Sequence, residues 1–433
     1  MTKPTHQAGP ALAYLVPEFP SQTHAFFWRE LQAIEQAGVR VQLFSTRRPP
    51  ADACQHAFAS EATARTTYVY PPSIADALWL LTRVTRWPAC LGYLNTLTGS
   101  GPKTWAKRLG LLACAAGLAR RCKRDHLQHL HAHSCADAAH LAALAHHFIH
   151  LPFSTTLHGD LPVYGTDHPQ KAKPAAFVAA VTKPLQQQLI QDAGLTPDRA
   201  PVVWMGVDTD RFSPPAKPAE AEGFCAASPA NPQPLTLLTV ARLNPTKGHT
   251  HALAAIKSCV DQGLDIRYRI AGNGPNEQAI RDTIAKLQLQ DRVELLGSVS
   301  EDRVLELLHD ADAFVLPSFG LGEAAPVSVM EAMATGLPVV CSIIGGTPDM
   351  ITTEHDGILT PQQDEAALAD AFARLAKDPT LRQRLGSAAR TTAQQRFDYR
   401  RTANRLLAQI WPDRFTNEAS PNQAETPSLQ GAA

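Results

Sequence analysis

The chain has 433 residues, 44% of them hydrophobic, and its 40 basic and 40 acidic side chains give zero formal net charge. That length exceeds one compact core and predicts two domains of roughly 200 residues each, while the balanced charge gives nucleic-acid binding no support. Eight scattered cysteines without a Cys-x-x-Cys pair, no leader, and no apolar run near the ~18 residues of a membrane span predict a cytoplasmic chain, soluble or at most peripheral.

Residues 10–16 read as a short apolar strand. Ser21 reads as the N-cap of a helix over 22–37, closed by Gly38, with the next strand over 39–45. A βαβ opening of this kind predicts a parallel, doubly wound sheet. From 74 to 124 the pattern is helical and basic. Trp79, Trp87 and Trp105 interleave with Arg83, Arg86, Lys103, Lys107, Arg108, Arg120, Arg121, Lys123 and Arg124, against only Asp76 and, just beyond, Asp125. Such a mixture suits an anionic membrane surface, and equally a solvated face packed on its own domain.

His126, His129, His131, His133, His140, His146, His147 and His150 follow, but no acidic or cysteine partner stands at ligand spacing. They are expected at strand ends and on the surface, not around a metal. Residues 152–157 read as a strand that delivers His158, Gly159 and Asp160 to the crevice where open α/β sheets bind ligands. Residues 177–181 and 201–204 read as further strands. The Pro- and Ala-rich stretch 214–234 reads as an exposed loop.

Leu235–Val240 reads as a buried strand that carries Arg242 and Lys247 into the loop ahead of a helix from His249. Two cations at a strand end can neutralise a diphosphate without a metal ion. Asp310 and Asp312 lie between helix and strand and read as caps. The turn Gly272-Asn-Gly274 carries Glu277 where a dinucleotide fingerprint needs its third glycine. Residues 313–317 read as a strand, and a helix is expected from Pro326 through Glu331 to Gly336.

Glu323 then stands in the loop at that helix N-terminus, whose free N–H groups favour a phosphate. Acids beside a phosphate are tolerable when they accept from sugar hydroxyls, so a nucleotide-sugar would satisfy the pair. A capping Glu323 and a solvated Glu331 would account for it as well. Residues 365–397 read as amphipathic helix, 399–411 as the last helix, and 412–433 as a polar, disordered tail.

Glu323-x7-Glu331 followed by Ala-Met-Ala-Thr-Gly-Leu-Pro-Val-Val resembles the signature of retaining GT-B glycosyltransferases of family GT4. Arg242-Leu-Asn-Pro-Thr-Lys247-Gly248 resembles that family's Arg-Leu-x-x-x-Lys-Gly segment. The opening, from Tyr14 to Leu31, is similar to the exopolysaccharide and colanic-acid-type subgroup. The resemblance implies an α/β GT-B fold, two Rossmann-like doubly wound domains facing a central cleft. An acceptor-side domain would occupy 1–205, with a basic helical insertion near 74–125. A linker at 206–234, a nucleotide-sugar domain at 235–397 and a helix at 398–411 returning to the first domain would follow.

By the same resemblance the activity is retaining hexosyl transfer from a nucleoside-diphosphate-sugar to a glycan or lipid-linked glycan, independent of metal and cofactor. Glu323, His158, Arg242 and Lys247 would be catalytic. Glu331, Gly322, Ala324, Ala325, Pro326, Gly345, Gly346 and Ser21 would bind the donor. The expected partners are that donor, the acceptor and an anionic inner membrane touched peripherally from the cytoplasmic face, with no nucleic acid. Four departures stand out: Pro20-Ser21-Gln22-Thr23 in place of a Gly-Gly pair, Asp160 one residue ahead of the family's usual acid, Met205 in place of Asn in the linker, and Asp349 in place of Glu after Gly345-Gly346. An epimerase on the same fold, or a non-catalytic membrane-surface scaffold, would use overlapping features.

Overall fold

The computed structural model describes residues 9–50, 53–54, 56–215, 234–321 and 323–416. Gly322, most of the 214–234 loop and most of the 412–433 tail lie outside them. The first sheet holds β1 (Ala11–Val16), β2 (Arg40–Ser45), β3 (Thr67–Tyr68), β4 (His129–Ala132), β5 (Phe153–Leu157) and β6 (Val178–Ala180). Its spatial order is β3-β2-β1-β4-β5-β6, all parallel. The second holds β7 (Leu235–Val240), β8 (Ile266–Ala271), β9 (Val293–Gly297), β10 (Ala313–Leu316), β11 (Val339–Ser342) and β12 (Ile358–Thr360). Its order is β12-β11-β10-β7-β8-β9, again parallel. Each order reverses beside its first strand, so each sheet opens a crevice at the carboxyl ends of its central strands.

Parallel strands with helices on both faces bury both sides, which is why β1 and β10 are continuous apolar runs. β4 departs from that rule. His129 and His131 are buried, not superficial as the sequence suggested, because Ser154 and Thr156 on β5 supply their partners. Ser154 Oγ lies 2.8 Å from both His129 Nε2 and His131 Nδ1, and Thr156 Oγ1 lies 3.0 Å from His131 Nε2.

Other boundaries also differ. The first helix is Ala25–Gln36 and Ser21 does not cap it; Gln22 N–H bonds the Ala53 carbonyl at 2.9 Å and holds the preceding turn out of helical register. Residues 201–204 are not a strand: Val202 forms one bridge to Ala180, beyond the end of the sheet. The helix expected over 365–397 is two, Glu365–Lys377 and Pro379–Arg396. Pro379 cannot continue the first, and Asp378 caps the second through the N–H groups of Thr380 and Leu381.

The last helix, Tyr399–Ile410, crosses back to the first lobe and packs on Ala25–Gln36. Ala403, Leu406 and Leu407 are buried with Leu12, Phe27, Trp28 and Leu31. The linker runs alongside: Val207 N–H donates to the Phe397 carbonyl at 2.8 Å, and Tyr399 N–H donates to the Val207 carbonyl at 3.0 Å. Gly206 makes this crossing possible, since a Cβ there would sit 2.3 Å from Tyr399 Cα.

Helices cover the basic stretch as expected: Ile74–Leu81, Trp87–Asn95 and Pro102–Arg124. Its cations are not all solvated, however. Buried Asp76 takes Arg120 at 2.8 Å and Arg121 at 3.2 Å, and buried Arg108 donates to the Leu97 carbonyl at 2.6 Å.

Candidate functional site

Both crevices open toward the same gap between the lobes. From the second lobe, β7 ends at Val240 and is followed by Arg242 and a single turn, Pro245–Lys247. β10 ends at Leu316 and is followed by the loop that carries Ser318 and Glu323. Phe319 N–H bonds the Thr246 carbonyl at 2.8 Å, which ties these two loops together. As a result the Lys247 ammonium contacts Glu323 Oε2, and Ser318 Oγ donates to the same oxygen at 2.8 Å. Glu323 is 8% exposed, so its charge is held by two donors and not by bulk water.

Pro326 is the N-cap of the helix Val327–Ala334, and Ala324 and Ala325 pack beneath its start. Gly345 and Gly346 sit under this loop because no larger residue fits. A Cβ on Gly345 would lie 1.7 Å from the Glu323 carbonyl oxygen, and one on Gly346 would lie 2.1 Å from Thr182 Cγ2 of the first lobe. Asp349, the residue in place of the family's Glu, accepts from Lys183 N–H at 2.9 Å and so joins the lobes.

A cavity of about 240 Å³ lies between the lobes, walled by Gln22, Thr23, Phe26 and Arg29 on one side. Arg242, Asn273, Ser298, Glu301, Val327, Ser328 and Glu331 wall the other. Arg242 and Glu331 are therefore brought together, as the sequence suggested. Ser21 is not part of the wall; its neighbours Gln22 and Thr23 are, and Gln22 Nε2 donates to the Val299 carbonyl at 3.1 Å. Glu331 does not point to solvent. Its Oε1 accepts from Arg29 Nη2 at 2.9 Å, and the same nitrogen contacts Glu301 Oε1.

His158 stands at the carboxyl end of β5, with its ring centroid 5.4 Å from Phe26 and 5.5 Å from Phe27. Its Nε2 lies 3.1 Å from His133 Nδ1, and its Nδ1 has no partner among the described residues. His133 Nε2 in turn lies 3.0 Å from Glu30 Oε1, though off the line of a hydrogen bond, and Tyr14 OH donates to that oxygen at 2.9 Å. Burial pushes His158 and His133 down to about 3, so both rings are neutral at ordinary pH. Burial likewise raises the Glu30 carboxyl.

Arg29, Glu30 and Glu301 escape the sequence reading. The available signal was Arg29-Glu30 inside Phe26-Phe-Trp28 and Leu31, a charge pair on a helix whose neighbouring positions are apolar. Both prove buried, at 7% and 8% exposure, and they point opposite ways, Arg29 across the gap and Glu30 into its own lobe.

Among the described residues no three His, Cys, Asp or Glu side chains are grouped as a metal would need, and no helix is long and apolar enough to cross a membrane. The seven described cysteines are free thiols.

Residues 224–392 match the family model described as glycosyl transferases group 1. Over 196 residues the chain is 40% identical to WcaL of Escherichia coli K12, assigned to colanic acid biosynthesis as a glycosyltransferase, covering 44% of this chain and 46% of WcaL. Over 248 residues it is 32% identical to the amylovoran biosynthesis glycosyltransferase AmsK of Erwinia amylovora, covering 56% and 58%. These matches thus span about half the length of each relative. The fold is similar to that of Anabaena HepE in complex with UDP, with TM-score 0.67 and 18% identity over 93% of this chain and 99% of that one. A Rickettsia africae glycosyltransferase gives TM-score 0.70 at 18% identity, over 94% and 99%. The two parallel sheets and the structural likeness agree that the chain has the GT-B fold, and its residues 224–392 are similar to the glycosyl transferases group 1 domain.

Proposed function

We propose that the protein moves a hexosyl group from a nucleoside-diphosphate-sugar to a glycan or lipid-linked glycan, with retention at the anomeric carbon, in surface polysaccharide biosynthesis. The observation that carries this reading is that Arg242 and Glu331 line one inter-lobe cavity, while Lys247 and Glu323 pair with each other in the loops that follow β7 and β10. Likeness to WcaL and AmsK over half their length supports the polysaccharide class, and the UDP complex of HepE supports a nucleoside diphosphate.

In this reading Glu331 receives ribose hydroxyls, and Glu323 receives hydroxyls of the transferred sugar. Arg242 and Lys247 lie on the diphosphate and neutralise charge as the anomeric C–O bond breaks, so no metal or other cofactor is required. The acceptor oxygen bonds the anomeric carbon from the face the phosphate leaves, and its proton passes to the departing phosphate oxygen. Neutral His158 orients the sugar and acceptor through its free Nδ1. Lobe closure excludes the water that would hydrolyse the donor. Ala324, Ala325, Pro326, Gly345 and Gly346 shape the donor's seat beneath these groups.

The protein would work at the cytoplasmic face of an anionic membrane. In support, Ile74, Leu78, Leu81 and Val84 are exposed on consecutive turns beside Arg83 and Arg86, with Ile74 83% exposed. Calorimetric titration with UDP, GDP and ADP tests the core of the proposal: one of the three binds with micromolar affinity, and binding of none of them overturns it.

A further inference from the structure

We propose that Arg29, on the lobe opposite the group 1 domain, is a nucleotide-recognition residue. It holds Glu331 in the pose that receives the ribose and offers its own unpaired nitrogen to the bound nucleotide. The inference rests on the reading above, in which Glu331 takes the ribose hydroxyls.

Three observations carry it. Arg29 lines the inter-lobe cavity yet is only 7% exposed, so the guanidinium faces an enclosed space. It is fixed from three sides: Nη2 bonds Glu331 at 2.9 Å and contacts Glu301, and the Phe212 ring lies 5.2 Å from its central carbon. Its Nη1 is buried and has no acceptor among the described residues. A guanidinium presents its donors as a rigid fork, so fixing Nη2 also fixes where Nη1 points. A buried donor left without an acceptor is costly unless something arrives to meet it.

The chemistry of the arrival follows from the wall. Arg29 engages Oε1 of Glu331, and Val327 and Ser328, the first residues of the helix Val327–Ala334, line the same cavity wall as Arg242 and Glu331. A ligand that satisfies all of these has hydroxyls for the carboxylate and anionic or carbonyl oxygens for Nη1 and Arg242. A ribonucleoside diphosphate has both. Because Arg29 and Glu331 belong to different lobes, the nucleotide would be read by both at once. Arg211, at 3.1 Å from Glu301, supports the arrangement from behind by keeping that second acid paired.

The rival account is that Arg29 merely latches an empty gap and must let go of Glu331 before nucleotide enters. The two accounts predict opposite signs. The test is calorimetry on the full chain with UDP, GDP and ADP and their 2′-deoxy forms, for the wild type, Arg29→Lys and Arg29→Ala. Folding of each variant is followed by near-ultraviolet circular dichroism. Arg29→Lys keeps the charge that Glu301 and Glu331 need but removes the fork, so it remains informative if Arg29→Ala unfolds.

The expected result is that Arg29→Lys weakens ribonucleotide binding by about tenfold or more, the scale of one lost charge-assisted hydrogen bond. The preference for the ribo over the deoxy form also shrinks toward unity, because Glu331 loses its pose. Equal or tighter binding by Arg29→Lys, or an unchanged ribo-to-deoxy preference, overturns the assignment and leaves the proposed activity standing. A wild type that binds none of the three nucleotides overturns both.

Discussion

The ammonium of Lys247 contacts the carboxylate of Glu323, 76 residues further along the chain, at the junction of two strand-end loops. In the absence of substrate each neutralises the other. A donor diphosphate would draw Lys247, while sugar hydroxyls would replace it on Glu323, so the pair is exchanged for substrate contacts and not simply lost.

Glu323→Ala, or Arg242→Ala combined with Lys247→Ala, is expected to lower turnover at least about a hundredfold, since a charged transition-state contact contributes on the order of 3 kcal/mol. The thermal midpoint should move little for Glu323→Ala, because Lys247 is partly exposed and can be rehydrated, and should fall for the double variant, which leaves buried Glu323 with Ser318 alone. Steady-state sugar transfer checks the first statement and a melting curve the second. Near-normal transfer by either variant would remove these residues from the chemistry.

Glu30 should behave differently, as a group that holds the site's scaffold. Replacing it with alanine takes away the carboxyl oxygen that accepts from Tyr14 OH at 2.9 Å and opens a space between that hydroxyl and the buried ring of His133. Glu30→Ala is expected to lose about 2–4 kcal/mol of unfolding free energy. Burial raises this carboxyl, so the neutral amide of Glu30→Gln is a close mimic and should lose less than half as much. Urea denaturation of both variants decides it.

Acid should destabilise the protein earlier than its carboxylates alone would require. His129 and His133 are pushed down to about 3 by burial and His131 is pushed well down, each from an ordinary value of 6.5. Below pH 6.5 the unfolded chain takes up protons that the folded chain refuses. Stability is therefore intact above that pH and falls as the pH drops toward 3, each ring adding about 1.4 kcal/mol per pH unit to the slope. His158, also pushed down to about 3, adds to this slope, and Glu30 alone of the groups named works in the opposite direction. The melting midpoint should decline measurably between pH 6.5 and 5; a flat midpoint there would mean that these rings accept protons in the fold.

Binding to vesicles should depend on the exposed ridge. Leu78 and Leu81 are each 59% exposed, so Leu78→Asp with Leu81→Asp should leave folding and nucleotide binding unchanged. Flotation with phosphatidylglycerol-containing vesicles should fall on the order of tenfold for the double variant. Equal flotation of both proteins would exclude this face as the contact.

How much of this was legible in advance follows from how local each signal is. The residues at strand ends, Arg242, Lys247, Glu323 and His158, could be placed because a buried apolar run and the turn after it are both visible within ten residues. The return of the last helix came from the family resemblance and not from any local signal, since its apolar residues Ala403, Leu406 and Leu407 do not say which lobe they cover. The break at Pro379 was written in the chain and overridden by the periodicity around it. The histidines of β4 were misplaced because their partners, Ser154 and Thr156, lie up to 25 residues away on another strand. Arg29 was beyond local reasoning altogether: its acids are 272 and 302 residues distant, so nothing near it distinguishes an inter-lobe fork from a solvated charge.

The linker and the last helix pass between the lobes side by side, zipped at Val207, Phe397 and Tyr399 over the bare backbone of Gly206. Two strings tied at one spot behave as a pin. Once the contacts across the gap, Arg29–Glu331 and Lys183–Asp349 among them, let go, any swing of the halves about that spot would be small near Gly206 and largest at the rim farthest from it.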